Sequence, residues 1–246
     1  MSIQSPADLK GMRRAGRLVR QTLDALEKNV RIGATTADLD AVAVELFARH
    51  GARSAPALVY GFPGTVLISV NDEIVHGVPG ARQLKQGDLV KLDVTVELNG
   101  YVADAARSVV VGTGSDQAHR LVACAREAFL AGARVVRAGA RVNEIGRAVD
   151  QEVTRHGFKV VRGLCGHGVG RTIHEEPSVP NWYDPRQTDV LTEGLVFTIE
   201  PMISAGSTIP VEDRDGWTIR TRDGSLSSHY EHTLMIAQGR PVLLTA

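Results

Sequence analysis

Four carboxylates in this chain of 246 residues sit in strand-forming sequence that leaves little room for charge: Asp93, Asp104, Glu200 and Glu231. Lys91 to Leu98 alternates, with Leu92, Val94, Val96 and Leu98 on one face and Asp93, Thr95 and Glu97 on the other. The Asn99-Gly100 dipeptide that follows favours a type I′ hairpin turn pairing Leu98 with Tyr101. In that register Thr95 faces Asp104 and Asp93 faces Ala106, so the two aspartates become diagonal neighbours on one face, about 7–8 Å apart at the backbone. Aspartates on a strand ordinarily mark a solvated face, but Asp104 lies among Val102, Ala103, Ala105 and Ala106. Carboxylates that meet in apolar surroundings repel and lose solvation unless a cation neutralises them. The chemistry these residue types suit is metal binding.

Glu200 follows the apolar run Leu195 to Ile199, and Glu231 opens the run Thr233 to Ile236. Either alone reads as a charge at a strand end. Of the eight histidines, His50 and His156 close helices and serve as partners of the helix dipole. His76, His167 and His174 fall in the glycine- and proline-rich strings NDEIVHGVPG and GHGVGRTIHEEP, which read as loops. The second string is not the HExxH zinc signature, because Ser178 stands where its second histidine would be. A GxSxG elbow, a Walker P-loop and a GxGxxG fingerprint are all missing, which removes the usual support for serine hydrolases, nucleotide hydrolases and dinucleotide enzymes.

The elements that must hold these residues are legible from patterning. Ser5, Pro6 and Asp8 open a helix running to about Leu26. A second helix starts at Thr36, repeats apolar residues at Leu39, Val42, Ala43, Leu46 and Phe47, and closes at His50-Gly51. A shift of 106 positions lays Val30, Arg31, Gly33 and Ala34 on Val136, Arg137, Gly139 and Ala140, and Arg49-His50-Gly51 on Arg155-His156-Gly157. Asp93 and Glu200 are 107 positions apart, close to the same shift. This pattern reads as an internal duplication within one catalytic domain spanning 1–246, with halves of about 1–112 and 113–246. Strands are expected over Thr65 to Val70, Leu89 to Leu98, Tyr101 to Val111, Lys159 to Arg162, Leu195 to Pro201 and Tyr230 to Ile236. Helices followed by antiparallel strands, repeated, predict an α+β fold of two related halves with the site where they meet.

Composition narrows the classes further. Lys plus Arg equal Asp plus Glu at 28 each, so no net field gathers nucleic acid or anionic membrane. The basic run from Lys10 to Arg20 is read as a solvated helix face. Cys124 and Cys165 are too few and too far apart for a disulfide framework, which points to a reducing, cytoplasmic compartment. Neither a signal-peptide pattern nor a run of ~20 apolar residues is present.

The strings NDEIVHGVP, LDVTVELNGYVADAA, GLCGHGVGRTIHEEP, VFTIEPM and YEHT resemble type I methionine aminopeptidases in order and spacing, from the first helix to the last strand. The resemblance implies the pita-bread fold and removal of the initiator methionine from nascent polypeptides, with preference for a small second residue. It implies Asp93, Asp104, His167, Glu200 and Glu231 as metal ligands, Asp104 and Glu231 bridging, around two divalent ions whose bridging water attacks the scissile carbonyl. An oxygen-rich set with one imidazole suits manganese, iron(II) or cobalt, with zinc also admitted, better than a closed structural zinc centre. By similarity, Glu200 accepts the water's proton, His174 supports the oxyanion and His76 contacts the scissile amide nitrogen. Phe62, Leu67 and Trp217 match positions of the methionine pocket, with Val59 and Ile173 nearby. Family members often carry Tyr, Cys and Phe where this chain has Val59, Leu67 and Ile173. The implied partners are nascent polypeptide N-termini, with the ribosome surface left open as a second. A monomer is expected, with no membrane and no specific nucleic acid.

Three rivals share part of this pattern. Aminopeptidase P and prolidase use the same ligands but carry a substantial domain before the catalytic half, whereas only 92 residues precede Asp93 here. A non-catalytic pita-bread binding module should have substituted some of the five ligands. A two-metal phosphoesterase needs a basic phosphate clamp, for which the sequence offers no candidate.

Overall fold

Local rules start the chain as expected. In the computed structural model, which describes residues 1–246, helix α1 (Pro6–Asn29) is capped by Ser5, whose hydroxyl accepts from the Asp8 amide. Helix α2 (Thr36–His50) opens on a reciprocal Thr35/Asp38 capping box and ends at left-handed Gly51. Strand β1 (Arg53–Ser54) leads to the short helix α3 (Ala55–Tyr60), which patterning did not reveal, and then to β2 (Leu67–Val70) and β3 (Glu73–Val75).

The long hairpin of β4 (Leu89–Leu98) and β5 (Tyr101–Val110) turns at Asn99 and Gly100, both with positive φ. Its register pairs Leu98 with Tyr101, Thr95 with Asp104 and Asp93 with Ala106, as the turn chemistry predicts. On its other edge β4 pairs with β2 and then β1, all antiparallel. Helices α1 and α2 cover one face of this sheet, and Met12, Val19, Leu23, Leu39 and Phe47 pack there with Leu92, Val94 and Val96.

The second helix pair, α4 (Asp116–Val135) and α5 (Val142–Arg155), precedes a chain of shorter strands. These are β6 (Lys159–Val160), β7 (Cys165–Gly168), β8 (Glu175–Pro180), β9 (Val196–Ile199), β10 (Met202–Ser204), β11 (Pro210–Glu212), β12 (Ile219–Thr221), β13 (Ser227–His229), β14 (His232–Ala237) and β15 (Arg240–Leu243). A five-stranded sheet in the order β15-β14-β9-β7-β8 packs under α4 and α5, with Phe129, Ile145, Val149, Phe197 and Ile199 in its core. Two three-stranded sheets, β13-β10-β6 and β11-β12-β3, complete the α+β architecture.

Both helix pairs are joined by the same backbone arrangement. The Gly33 amide donates to Leu84 and the Gly139 amide to Leu191, while Leu84 and Leu191 donate back to Ala34 and Ala140. The offset between matching residues therefore grows from 106 to 107 after the helices, and 107 also separates Asp93 from Glu200.

A seam of bonds joins the halves. Glu231 and Ala106 exchange backbone bonds of 2.9 and 3.3 Å. The Thr233 hydroxyl accepts from the Asp104 amide and donates to its carbonyl, and the Ser108 hydroxyl does the same for backbone His229. Both cysteines are free, and no helix is long and apolar enough to cross a membrane.

Candidate metal centre

The hairpin and the seam together bring Asp93, Asp104, His167, Glu200 and Glu231 to the floor of one cavity of about 510 Å³. Asp93 and Asp104 project from β4 and β5, as their register requires. Glu200 follows β9, Glu231 lies between β13 and β14, and His167 stands on β7. Its glycine-rich string reads as a loop in the sequence. It forms a strand because its glycines let backbones approach: a Cβ at Gly168 would lie 2.1 Å from the Glu176 carbonyl.

Two ligand-like groups share Glu231. Oxygen and nitrogen atoms of Asp104, His167 and Glu231 lie within 4.8 Å of one another, as do those of Asp93, His229 and Glu231. His167 Nε2 is 3.4 Å from Glu200 Oε1, and the Thr198 hydroxyl donates to that same oxygen at 2.7 Å while accepting from the His167 amide.

Electrostatics makes this arrangement costly without a cation. Burial first, then the neighbouring carboxylates, holds the Asp93 and Glu231 carboxyls well above the usual carboxylate range. Burial likewise raises Glu200, and it pushes Asp104 up to about 7. The same burial lowers His167 to about 4 and His229 to about 3, so both imidazoles are neutral and able to ligate at neutral pH. Asp93 Oδ1, Asp104 Oδ1, Glu231 Oε1 and both ring nitrogens of His229 are shut off from solvent and have no hydrogen-bond partner. Such atoms are rare in folded proteins, and their concentration at one point is what a divalent-ion site looks like from its ligands.

The cavity wall holds most of the remaining expected residues. His76 enters with φ of 59°, immediately after β3. The next residue, Gly77, lies so close to β2 that a Cβ there would be 2.2 Å from the Ile68 carbonyl. His174 packs edge-on to His167 with centroids 4.3 Å apart, and its Nδ1 is hydrogen bonded to the Tyr60 hydroxyl. Burial lowers the pKa of both His76 and His174. Phe62, Leu67, Ile173 and Trp217 form the apolar side, with Phe62 and Trp217 in edge contact at 5.3 Å. Val59 does not join them. It is 54% exposed, and Pro56 and Tyr60 of α3 line the cavity instead.

Sequence reading passed over Tyr60, Thr198 and His229. Tyr60 and Thr198 carry no distinguishing pattern. His229 does, because it stands two residues before Glu231, the spacing that places alternate side chains on one face of extended backbone.

Known proteins resemble this chain over nearly its whole length. Residues 10–238 match metallopeptidase family M24. Methionine aminopeptidase 2 of Bacillus subtilis is 40% identical over 247 aligned residues, covering 100% of this chain and 99% of that protein. The methionine aminopeptidase of Clostridium perfringens is 43% identical, covering 95% of this chain and 94% of its own. The crystal structure of methionine aminopeptidase from Rickettsia prowazekii superimposes with a TM-score of 0.95 at 37% identity, covering 100% of each chain. Prolidase from Pyrococcus furiosus shares the fold with a TM-score of 0.79 at 20% identity, but the match spans only 65% of that longer chain.

Proposed function

Because this chain belongs to metallopeptidase family M24, and within it to the methionine aminopeptidases, we propose that it removes the N-terminal methionine of nascent polypeptides at the cavity just described. The observation that carries this reading is the convergence of orphaned buried carboxylates and an imidazole at the floor of a cavity with one apolar wall. Asp93, Asp104, His167, Glu200 and Glu231 would hold two divalent ions. When bound, such ions supply positive charge for a polarised carbonyl and bring water's pKa near neutrality. The oxygen-rich set with neutral imidazole suits manganese, iron(II), cobalt or zinc.

The chain's own residues do the rest. Glu200, positioned by the Thr198 hydroxyl, takes a proton from the attacking water at a carboxylate oxygen and returns it to the leaving amine. The Tyr60 hydroxyl is bonded to His174 Nδ1, and with the hydroxyl as donor the neutral imidazole carries its proton on Nε2, where it can stabilise a developing oxyanion. His76 faces the same space and contacts the scissile amide nitrogen. Phe62, Leu67, Ile173 and Trp217 receive the methionine side chain, and confinement of the cavity favours a small second residue. One internally duplicated domain suffices for these tasks, and the enzyme works as a monomer in the cytoplasm.

The test is a peptide panel offered to metal-reconstituted protein: Met-Ala-Ser, Met-Leu-Ser, a Xaa-Pro peptide and a phosphodiester. Methionine should be released from Met-Ala-Ser and far more slowly from Met-Leu-Ser. Glu200→Gln should lower kcat by about 10²–10⁴-fold. Cleavage confined to the Xaa-Pro peptide, or no turnover with metal bound, would refute the assignment.

A further inference from the structure

His229 is the most enclosed imidazole of the site, 1% exposed, and both of its ring nitrogens lack partners. Nothing about a core histidine requires this. His232, three residues further along, is also buried, and there Thr245 and Tyr230 occupy both ring nitrogens. Leaving a buried polar atom unpaired is costly, so two on one ring need a reason.

The ring is held in place from outside the cavity. Its backbone amide and carbonyl are both bonded to the Ser108 hydroxyl, at 3.0 and 2.8 Å, and His229 pairs with Met202 across β13 and β10. This fixes Nε2 at 3.7 Å from Glu231 Oε2 and 3.9 Å from Glu200 Oε2. Those separations are too long for hydrogen bonds. They do suit two ligands of one ion, because bonds of ~2.1 Å place ligand atoms about 3.0 to 4.2 Å apart, depending on the angle. Across the floor, His167 Nε2 and Glu200 Oε1 stand at 3.4 Å in the same relation.

We propose that His229 is a sixth protein ligand, completing an Asp93–His229–Glu231 site beside Asp104–His167–Glu231. Each ion then has one imidazole beside a share of Glu231, so the two sides of the floor each carry a nitrogen ligand. The inference rests on the metal-binding reading above and adds a nitrogen ligand to it.

The experiment loads the full-length protein with two equivalents of cobalt(II) and counts imidazoles per ion by X-ray absorption at the cobalt edge. Titration of His229→Gln and His167→Gln runs alongside, with circular dichroism in chelator to confirm that each variant folds. One imidazole per ion is expected in the unaltered protein. His229→Gln should halve that count and weaken one of the two binding events by about tenfold or more, while His167→Gln should weaken the other. One imidazole per two ions in the unaltered protein overturns the proposal and leaves the five-ligand reading standing. So does His229→Gln that changes affinity without changing the imidazole count, since His229 then acts from outside the coordination sphere. No cobalt bound by the unaltered protein overturns both.

Discussion

Replacing Asp104 with Asn should make the metal-free protein more stable while depriving it of its metal. Burial raises the Asp104 carboxyl to about 7 in the native state, whereas the unfolded chain titrates near 3.9. The native state therefore holds a proton that the unfolded state releases between these values. Folding loses nothing to this group below about pH 4, loses progressively more up to pH 7, and by a constant amount above it. Three units correspond to about 4 kcal/mol. Asn carries no charge but forgoes part of the interaction with the Thr95 hydroxyl and the Ala105 amide, which together favour the carboxylate. A net gain of about 2 kcal/mol is expected at pH 8, or roughly 5 °C in Tm for a chain of this size.

The assay is thermal unfolding of both proteins from pH 4.5 to 8.5, in chelator and again with excess manganese or cobalt. In chelator the variant's advantage should grow from nothing at pH 4.5 to its full value by pH 8. With metal the order should reverse, because an ion at 100 times its Kd stabilises the unaltered protein by about 2.7 kcal/mol and the variant by much less. A variant less stable than the unaltered protein in chelator at pH 8 would refute the account of the floor as a cluster of uncompensated carboxylates. A variant that keeps the full metal-induced rise in Tm would refute Asp104 as a ligand.

Other perturbations probe the walls and supports of the site. Gly77→Ala forces a Cβ to within 2.2 Å of the Ile68 carbonyl, so His76 must move. Activity should fall by about 10²-fold and stability by about 1–3 kcal/mol, read by peptide turnover and urea unfolding. Trp217→Ala removes the edge partner of Phe62 and should lower kcat/KM for Met-Ala-Ser by roughly 10- to 200-fold, chiefly through KM. Lys91, 1% exposed, has its ammonium lowered to about 7 by burial, so the native state is penalised most below pH 7 and the penalty fades as pH rises towards 10.5. Lys91→Met should therefore stabilise the protein by about 1–3 kcal/mol at pH 6, with a smaller gain at pH 9, measured by urea unfolding.

What could be read beforehand follows from how locally each element is determined. Lys91 to Leu98 of β4 alternate, Asn99-Gly100 selects the turn, and register follows from the turn alone, so the places of Asp93 and Asp104 need no tertiary contact to be read. The helix caps at Ser5 and Gly51 are equally local. In contrast, β7, β10 and β13 have only three or four residues each, too few for a period to show. Their existence depends on backbone approach at Gly168 and on pairing with strands far along the chain. No local pattern therefore fixes His167 or His229, and only resemblance points to His167. Val59 failed for a related reason: the six-residue helix α3 was not visible, and its turn aims Pro56 and Tyr60 at the cavity while Val59 faces out.

The division between local and long-range determination also shows where the carboxylate repulsion acts. The Asp93–Asp104 pair belongs to one hairpin and can form early, but Glu231 meets Asp104 only when the seam closes through Ala106, Thr233 and Ser108. Those seam bonds are neutral hydrogen bonds, each contributing about 1 kcal/mol net, against a repulsion of about 3.5 kcal/mol for a single charged pair at 4.8 Å. Without metal, protonation of the buried carboxyls relieves the conflict, and a bound divalent ion would relieve it with the carboxylates charged. An ion bound here would therefore do two things with one set of contacts: supply charge for the chemistry and hold the two halves of the chain against each other.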